Sequence, residues 1–119
     1  MAGIYDMARE LGGALARTDE YQALRRSIEA ADEDRGLVEV RNRLQAMEAR
    51  LETMLRAGQE PDEDFKRDYT TASEELQAMP AFQRLVAAQS NFEKVMYKVN
   101  ETVAKGIDEG AQSRIIISS

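Results

Sequence analysis

The sequence predicts an all-α protein, an antiparallel helical bundle or coiled-coil-like hairpin of about five helices. Two prolines and seven glycines interrupt its 119 residues, and most residues between them are strong helix formers. Apolar residues recur in steps of three and four, the period of an α-helix, wherever the chain shows a period at all. This length suits one domain, which we assign to residues 1–109, with residues 110–119 as a C-terminal tail.

Helices one and two are indicated by apolar spacing and by one capping residue. Thr18 has a side-chain oxygen that can accept a hydrogen bond from the free amides of a helix start. Asp19 and Glu20 then lie at the positive end of that helix's dipole. Helix one therefore ends before Thr18, and helix two begins after it. The apolar faces are Ile4, Ala8, Leu11 and Leu15 in helix one and Tyr21, Leu24, Ile28 and Ala31 in helix two.

Helix three is expected to begin after Asp32 or Asp34, either of which can cap it, and to end near Ala57. Gly58 can adopt the left-handed conformation that ends a helix, and Pro61 prevents immediate continuation. Charged residues border the narrow apolar stripe of this helix, so one neighbouring helix can cover it. This intrachain seam consists of Leu37, Val40, Leu44, Met47, Leu51 and Met54.

Two prolines mark the starts of helices four and five. Pro61 opens helix four together with Asp62, Glu63 and Asp64, an acidic first turn that suits the helix dipole. Pro80 is favoured at the first position of helix five, although its ring could instead kink one continuous helix. We expect a break or a sharp bend there.

Helix five carries the longest heptad pattern, which we expect to end after Lys105, where Gly106 and Gly110 follow. Val86 and Ala88 flank the stripe, so its apolar face is wider than one neighbouring helix can cover. Helix three, folded back through helix four, can supply one neighbour, and a second copy of the chain the other. We therefore predict a homodimer or larger assembly formed through the last long helix. The predicted self-association residues are Phe92, Val95, Met96, Val99 and Val103.

Two features of the second half have alternative interpretations. Gln89 within the stripe of helix five either fixes the register of a coiled coil or is partly exposed near a helix crossing. The closing "QSRIIISS" is either a frayed tail that covers a helix end or an extended segment that docks on another chain.

Composition excludes several classes of chemistry. The chain has no cysteine and no histidine, which removes disulfides, a thiol nucleophile and the commonest zinc ligands. Acidic pairs such as Glu63 with Asp64 lie at helix starts, where capping and dipole effects account for them. No phosphate-binding glycine loop or EF-hand motif is present. We therefore expect no enzyme activity, no cofactor and no metal.

Charge and hydropathy indicate location and partners. The net charge of -6 disfavours nucleic acid as a partner of the whole surface. No apolar run is long enough to span a membrane, and the start lacks the features of a signal peptide, so a cytoplasmic location is expected. The arginine-rich edge of helix three could contact RNA or an acidic protein, although nearby carboxylates favour ion pairs instead. Its residues are Arg41, Arg43 and Arg50.

Four stretches carry a family resemblance: "IYDMARELGGAL", "TDEYQALRRSIEAADED", "LQAMEARLETMLRAGQEPDEDF" and "FQRLVAAQSNFEKVMYKVNETV". From about Ile4 to Asp108 the chain resembles the bacterial YlbF/YmcA/YheA family, and most of all its YheA branch. The resemblance implies a small, all-helical, cytoplasmic protein that self-associates. Two other branches help to control sporulation, competence and biofilm formation in Gram-positive bacteria, in a complex that influences RNA processing by RNase Y. The cysteines that ligate an iron–sulfur cluster in those branches have no counterpart here.

The expected function is therefore protein–protein contact. We predict a non-enzymatic, homo-oligomeric protein that acts as a regulatory adaptor and resembles the cell-fate and RNA-processing regulators of this family. The expected partners are a second copy of the chain and other bacterial regulatory proteins. The alternative is an RNA-binding accessory protein that uses the arginine edge of helix three.

Overall fold

Five α-helices make up the described part of the protein. The structure is a computed structural model that describes the backbone of residues 3–118 and the side chains of residues 3–112. No strand occurs within this part, so the predicted all-α class and the number of helices are confirmed. The helices are α1 (Ile4–Ala16), α2 (Asp19–Glu33), α3 (Arg35–Arg56), α4 (Glu63–Ala78) and α5 (Pro80–Ser118).

Three polar side chains cap the starts of α2, α3 and α4. Each accepts a hydrogen bond from a free backbone N–H of the first turn, as the sequence predicts for Thr18 and for one of Asp32 and Asp34. Helix α4 begins at Glu63, so Pro61 precedes this helix instead of opening it, and Asp62 is its cap instead of a residue of its first turn. For α3 the capping residue is Asp34 rather than Asp32. The donors are the backbone N–H groups of Tyr21 to Thr18 (3.1 Å), Leu37 to Asp34 (3.0 Å) and Phe65 to Asp62 (2.8 Å).

Glycine and proline separate the later helices. Gly58 follows α3 with φ of 73°, the left-handed conformation that glycine adopts without steric cost. Met79 lies between α4 and α5 with an extended backbone (φ -74°, ψ 127°), as expected for the residue before a proline. Pro80 is the first residue of α5, so the chain breaks there instead of forming one kinked helix.

The helices form two antiparallel pairs, α2 with α5 and α3 with α4. The expectation that α3 is the neighbour of α5 is wrong, because α3 packs mainly on α4. Tyr21, near the start of α2, contacts Phe92 on α5. Ala31, near the end of α2, belongs to one buried cluster with Ala81 and Leu85 at the start of α5. These two contacts make α2 and α5 antiparallel.

The two helix pairs share one small core. Leu76 and Met79 pack against both of its buried clusters and so join the α2–α5 pair to the α3–α4 pair. Four of the eight buried apolar residues within residues 3–112 are alanines, whose small side chains allow helices to approach closely. The eight are Ala31, Leu37, Val40, Leu44, Ala72, Ala81, Leu85 and Ala88.

Helix α5 continues much further than its sequence predicts. It passes through Gly106 and Gly110 and ends at Ser118, so the predicted end after Lys105 is wrong. A glycine inside a helix costs only about 1 kcal/mol relative to alanine, too little to end a helix where no turn competes. The side chains of residues 113–119, including the isoleucines of the predicted tail, lie outside the described residues. A separate tail from residue 110 stays a prediction.

The molecule is strongly elongated. Its principal extents are 70 × 36 × 22 Å, and its radius of gyration is 22.1 Å. A compact domain of 119 residues would have a radius of gyration of about 13.5 Å. Such a shape leaves a large part of each helix exposed to solvent.

Candidate interaction surface

Two groups of exposed apolar side chains lie on helices that project from the core. On α1, Ile4, Met7 and Leu11 follow one another in steps of three and four and are 73%, 59% and 39% exposed. We call this group the α1 face. On α5, Val103 and Ile107 are one helical turn apart and are 50% and 66% exposed. We call this pair the distal face.

Both faces belong to helical segments with little support from the rest of the chain. None of the 13 residues of α1 is buried. On α5, every residue from 102 to 112, which we call the distal segment, is exposed. Isolated helices of this length are marginal in water and gain most of their stability from packing an apolar face. Each segment therefore presents a surface that another helix can cover.

The predicted self-association residues only partly coincide with these faces. Phe92 is half-buried, and its ring lies 5.3 Å from the ring of Tyr21 on α2. Val95, Met96 and Val99 are also half-buried, so α2 already covers part of the side of α5 to which they belong. Val103 is the most exposed of the five. Their role in self-association stays a prediction.

The residues of the intrachain seam lie along the side of α3 that faces α4. Leu37, Val40 and Leu44 are buried, and the next three members of the seam are half-buried. Val40 and Leu44 form a cluster with Ala72 of α4, against which Tyr69 packs. Helix α4 thus covers the middle of the stripe, whereas Leu37 at its start is buried in the cluster with Ala31 of α2 and Leu85 of α5. The stripe therefore packs on more than the single neighbouring helix that the sequence predicts. The three half-buried members are Met47, Leu51 and Met54.

Gln89 is exposed. The residue next to it, Ala88, is buried instead and lines a groove together with Ser27 and Ala30 of α2. In the single chain Gln89 therefore contributes nothing to the packing between α5 and α2. The role of a register-fixing residue would require a further helix against it, and that role stays a prediction.

The arginine edge of α3 is engaged with other groups of the same chain. Arg41 lies 3.0 Å from Asp32, and Arg43 lies 3.2 Å from Glu75 of α4. The guanidinium carbon of Arg50 lies 5.8 Å from the centre of the Phe65 ring, in cation–π geometry. All three contacts are intramolecular and partly exposed to solvent.

Acidic residues do not converge on a site. Within residues 3–112 no group of three or more acidic side chains could hold a metal ion, and no buried polar side chain lacks a hydrogen-bond partner. Glu63 and Asp64 in the first turn of α4 pair with Lys66 and Arg67 of the same helix. These carboxylates act locally, as their positions at helix starts predict. Among the described helices none combines the length and the apolar character needed to cross a membrane.

One hydrogen bond on the α3–α4 pair changes the acidity of a tyrosine. The Tyr69 hydroxyl donates to Oε1 of Glu48 across a distance of 3.2 Å. This hydrogen bond, together with the negative charge of Glu48, raises the pKa of Tyr69 above its ordinary value, because both favour the protonated phenol. The contact helps to hold α4 against α3.

The sequence interpretation misses the α1 face as a candidate site, and of the distal face it includes only Val103. A helical period shows that Ile4 and Leu11 share one face, but it does not show that no other helix covers it. Ile107 lies beyond the expected end of helix five, although it continues the three-and-four spacing after Val103. That spacing is the signal that could have included it.

Comparison with known proteins identifies a family. The sequence model of the family described as "Control of competence regulator ComK, YlbF/YmcA" matches residues 4–108 of this chain. The chain belongs to this family. The predicted family resemblance is thereby confirmed. The description connects the YlbF/YmcA family with control of a competence regulator.

Similar proteins carry names that assign no function. The chain is 25% identical to a UPF0342 protein of Limosilactobacillus reuteri, with 92% of this chain and 89% of the relative covered. It is 23% identical to a UPF0342 protein of Staphylococcus saprophyticus, with 89% and 93% covered. The solved structure "Protein of Unknown Function (DUF964) from Bacillus stearothermophilus" has a TM-score of 0.63 at 20% identity, covering 89% of this chain and 93% of that one. This likeness shows a shared fold.

Proposed function

We propose that this YlbF/YmcA-family chain is a non-enzymatic, homodimeric regulatory protein that acts by protein–protein contact. The observation that carries the proposal is the large exposed surface of the single chain. Its accessible surface is 9433 Å², whereas a compact monomer of 13.4 kDa exposes about 6500 Å². A stable interface of standard size needs only about 800 Å² from each partner. The excess surface is ample for one such interface and for contact with a further protein.

The distribution of apolar groups supports self-association. Val103 and Ile107 are at least half exposed on a helix that extends beyond its intrachain neighbour. Full burial of an exposed Val or Ile side chain is worth roughly 1.5 to 3 kcal/mol, and about half of that remains to be gained at each of these positions. The four half-buried members of the predicted self-association residues lie next to them on the same helix. A second chain would cover the part of α5 that α2 leaves exposed.

The regulatory part of the proposal is supported by the family and by the character of the surface. The family description names control of a competence regulator, which is an action on another macromolecule. The acidic and basic side chains that form ion pairs in the structure do so at the surface, within single helices or between neighbouring ones. Such a surface suits an adaptor that holds two proteins together.

The first experiment measures the oligomeric state. Sedimentation equilibrium of the full chain over a wide concentration range should give a dimer or larger assembly. A well-folded monomer at all concentrations would contradict the proposal.

The second experiment tests the regulatory action in the organism that encodes the chain. Deleting the gene should change the abundance of a defined set of transcripts, and the wild-type gene should restore it. A photoreactive amino acid at Tyr97, which is 72% exposed on α5, should cross-link to a distinct protein in the same cells. The same label at the exposed Thr70 on α4 is the matched control. Unchanged transcripts together with no cross-linked protein would contradict an adaptor role.

The RNA-binding alternative gains no support from α3. Arg41 and Arg43 are paired with carboxylates, so binding phosphate would require those pairs to break. RNA binding through this edge would weaken steeply with salt and would fall when Arg41 and Arg43 are replaced. Filter binding with single-stranded RNA at two salt concentrations would detect it.

A further inference from the structure

The connection from α1 to α2 lies at the end of the α2–α5 pair from which the distal segment extends. Tyr21 follows α1 closely in the chain and contacts Phe92 on α5. The connection from α1 to α2 therefore lies beside the part of α5 that leads into the distal segment. The two faces are also similar in length, because the 13 residues of α1 span about 20 Å and residues 102–112 span about 16 Å.

The turn between α1 and α2 holds α1 in its present orientation. The side-chain amide of Gln22 donates to the carbonyl oxygen of Ala16 at 2.9 Å. The Thr18 hydroxyl donates to the carbonyl oxygen of Leu15 at 2.7 Å, while it accepts from the backbone N–H of Tyr21. In this orientation α1 does not cover the distal segment of its own chain. The α1 face and the distal face are therefore both exposed.

We propose that α1 of each protomer packs on the distal segment of α5 in a second copy of the chain. This inference rests on the proposed homodimer and specifies its interface. In a two-fold symmetric dimer the contact occurs twice, so one arrangement covers both α1 faces and both distal faces. The interface consists of Ile4, Met7 and Leu11 from one protomer against Val103 and Ile107 from the other.

The available area favours a second copy as the occupant. The single chain exposes about 2900 Å² more than a compact monomer of its mass, and a standard dimer requires about 800 Å² per partner. Both α1 and the distal segment are helical, yet no residue of either is buried. Mutual cover would supply the packing that helices of this length require in water.

Cross-linking between two differently tagged chains tests this arrangement. The chain contains no cysteine, so single cysteines can be introduced freely. One chain carries Met7→Cys and the other Ile107→Cys, the two are co-expressed, and dimers that contain both tags are treated with a short bismaleimide. We expect a covalent dimer at a yield at least tenfold above that of the matched pair with Thr70→Cys in place of Met7→Cys. Thr70 is exposed on α4, away from both faces.

The possible outcomes separate this inference from the proposed function. A dimer by light scattering that gives no cross-link between positions 7 and 107 would overturn the α1 contact and leave the proposed homodimer intact. So would an efficient link in the Ile107→Cys chain expressed alone together with none between positions 7 and 107, since that result indicates pairing of the two α5 helices. A monomer at all concentrations would overturn both. The cross-link between positions 7 and 107, absent in the Thr70 control, would establish the contact.

Discussion

The ring of Tyr21 lies against the ring of Phe92, with centroids 5.3 Å apart and planes inclined by 59°. The contact joins the start of α2 to the middle of α5, and both rings are half-buried. Tilted aromatic pairs are stabilised beyond their buried area, because the positive edge of one ring meets the negative face of the other. The pair therefore helps to fix where α2 lies along α5.

Phe92→Ala is expected to lower the free energy of unfolding by about 2 to 3 kcal/mol, somewhat less than for a fully buried ring. Urea denaturation followed by circular dichroism at one fixed protein concentration measures the effect. Tyr97→Ala is the matched control, because Tyr97 is on the same helix and 72% exposed, and it should change stability by less than about 0.5 kcal/mol. Equal effects of the two substitutions would contradict the assigned packing.

A second prediction separates the two aspartates before α3. Asp34 accepts a hydrogen bond from the backbone N–H of Leu37, so Asp34→Ala should cost about 1 kcal/mol. Asp32 instead forms a solvent-exposed ion pair with Arg41, so Asp32→Ala should cost less than about 0.5 kcal/mol. Thermal unfolding of both variants under identical conditions measures the difference. A larger loss at Asp32 would show that the cap of α3 is assigned to the wrong residue.

The third prediction concerns pH. Because the folded protein raises the pKa of Tyr69, folding favours the protonated phenol. The stability from this contact is fully present below the ordinary tyrosine pKa of about 10 and is lost as the pH rises through the higher pKa of the folded state. Tyr69→Phe has no ionisable hydroxyl, so as the pH rises its free energy of unfolding should fall less than that of the wild type. Urea midpoints at neutral and alkaline pH, compared between wild type and variant, provide the measurement.

Glu48→Gln tests the cause of that pKa shift. It removes the negative charge but leaves an oxygen that can accept the hydrogen bond, so the pKa of Tyr69 should fall toward its ordinary value. Absorbance of the tyrosinate, with Tyr69→Phe subtracted, isolates this residue from the other three tyrosines. A pKa of Tyr69 that does not change in Glu48→Gln would rule out the negative charge of Glu48 as a cause of the shift.

Local signals in the sequence account for most helix boundaries. Thr18 caps α2 at the predicted position because a cap needs only the residues of one helix turn. Pro80 likewise acts on its immediate neighbours. The end of α5 differs, because the glycines at 106 and 110 weaken a helix without ending it, and no turn forms at those positions.

The pairing of helices could not be predicted in the same way. A helical period identifies which residues share a face but does not identify the helix that covers it. The large residues of helix five suggest a stripe that includes Gln89 and Met96, whereas the buried side includes Ala81 and Ala88. Small residues decide this contact because they allow α2 to approach closely, and hydrophobic spacing alone gives them little weight. The α1 face follows from the pairing, so it could not be predicted either, whereas the spacing along helix five does indicate Val103 of the distal face.

The last prediction distinguishes two positions on α5 by what each substitution disturbs. Met96→Asp places a charge on a half-buried side chain in the α2–α5 pair, so it should lower the stability of the folded chain as well as its association. Ile107→Asp places the same charge on a side chain that is 66% exposed, where the single chain has no packing to lose. Its stability should therefore change by less than about 0.5 kcal/mol.

Ile107→Asp should weaken association even though it leaves the stability of the single chain nearly unchanged. If the distal face is covered in the dimer, the substitution leaves a charge in an apolar contact, and the dimer dissociation constant should rise at least tenfold, which corresponds to about 1.4 kcal/mol. Sedimentation equilibrium measures the dissociation constant, and urea denaturation at a protein concentration well below it measures the stability of the single chain. Ile107→Leu is the control, because it keeps the apolar surface and should leave both quantities nearly unchanged. An Ile107→Asp dimer as tight as wild type would place the interface elsewhere, since a charge in the middle of a covered apolar face cannot be neutral.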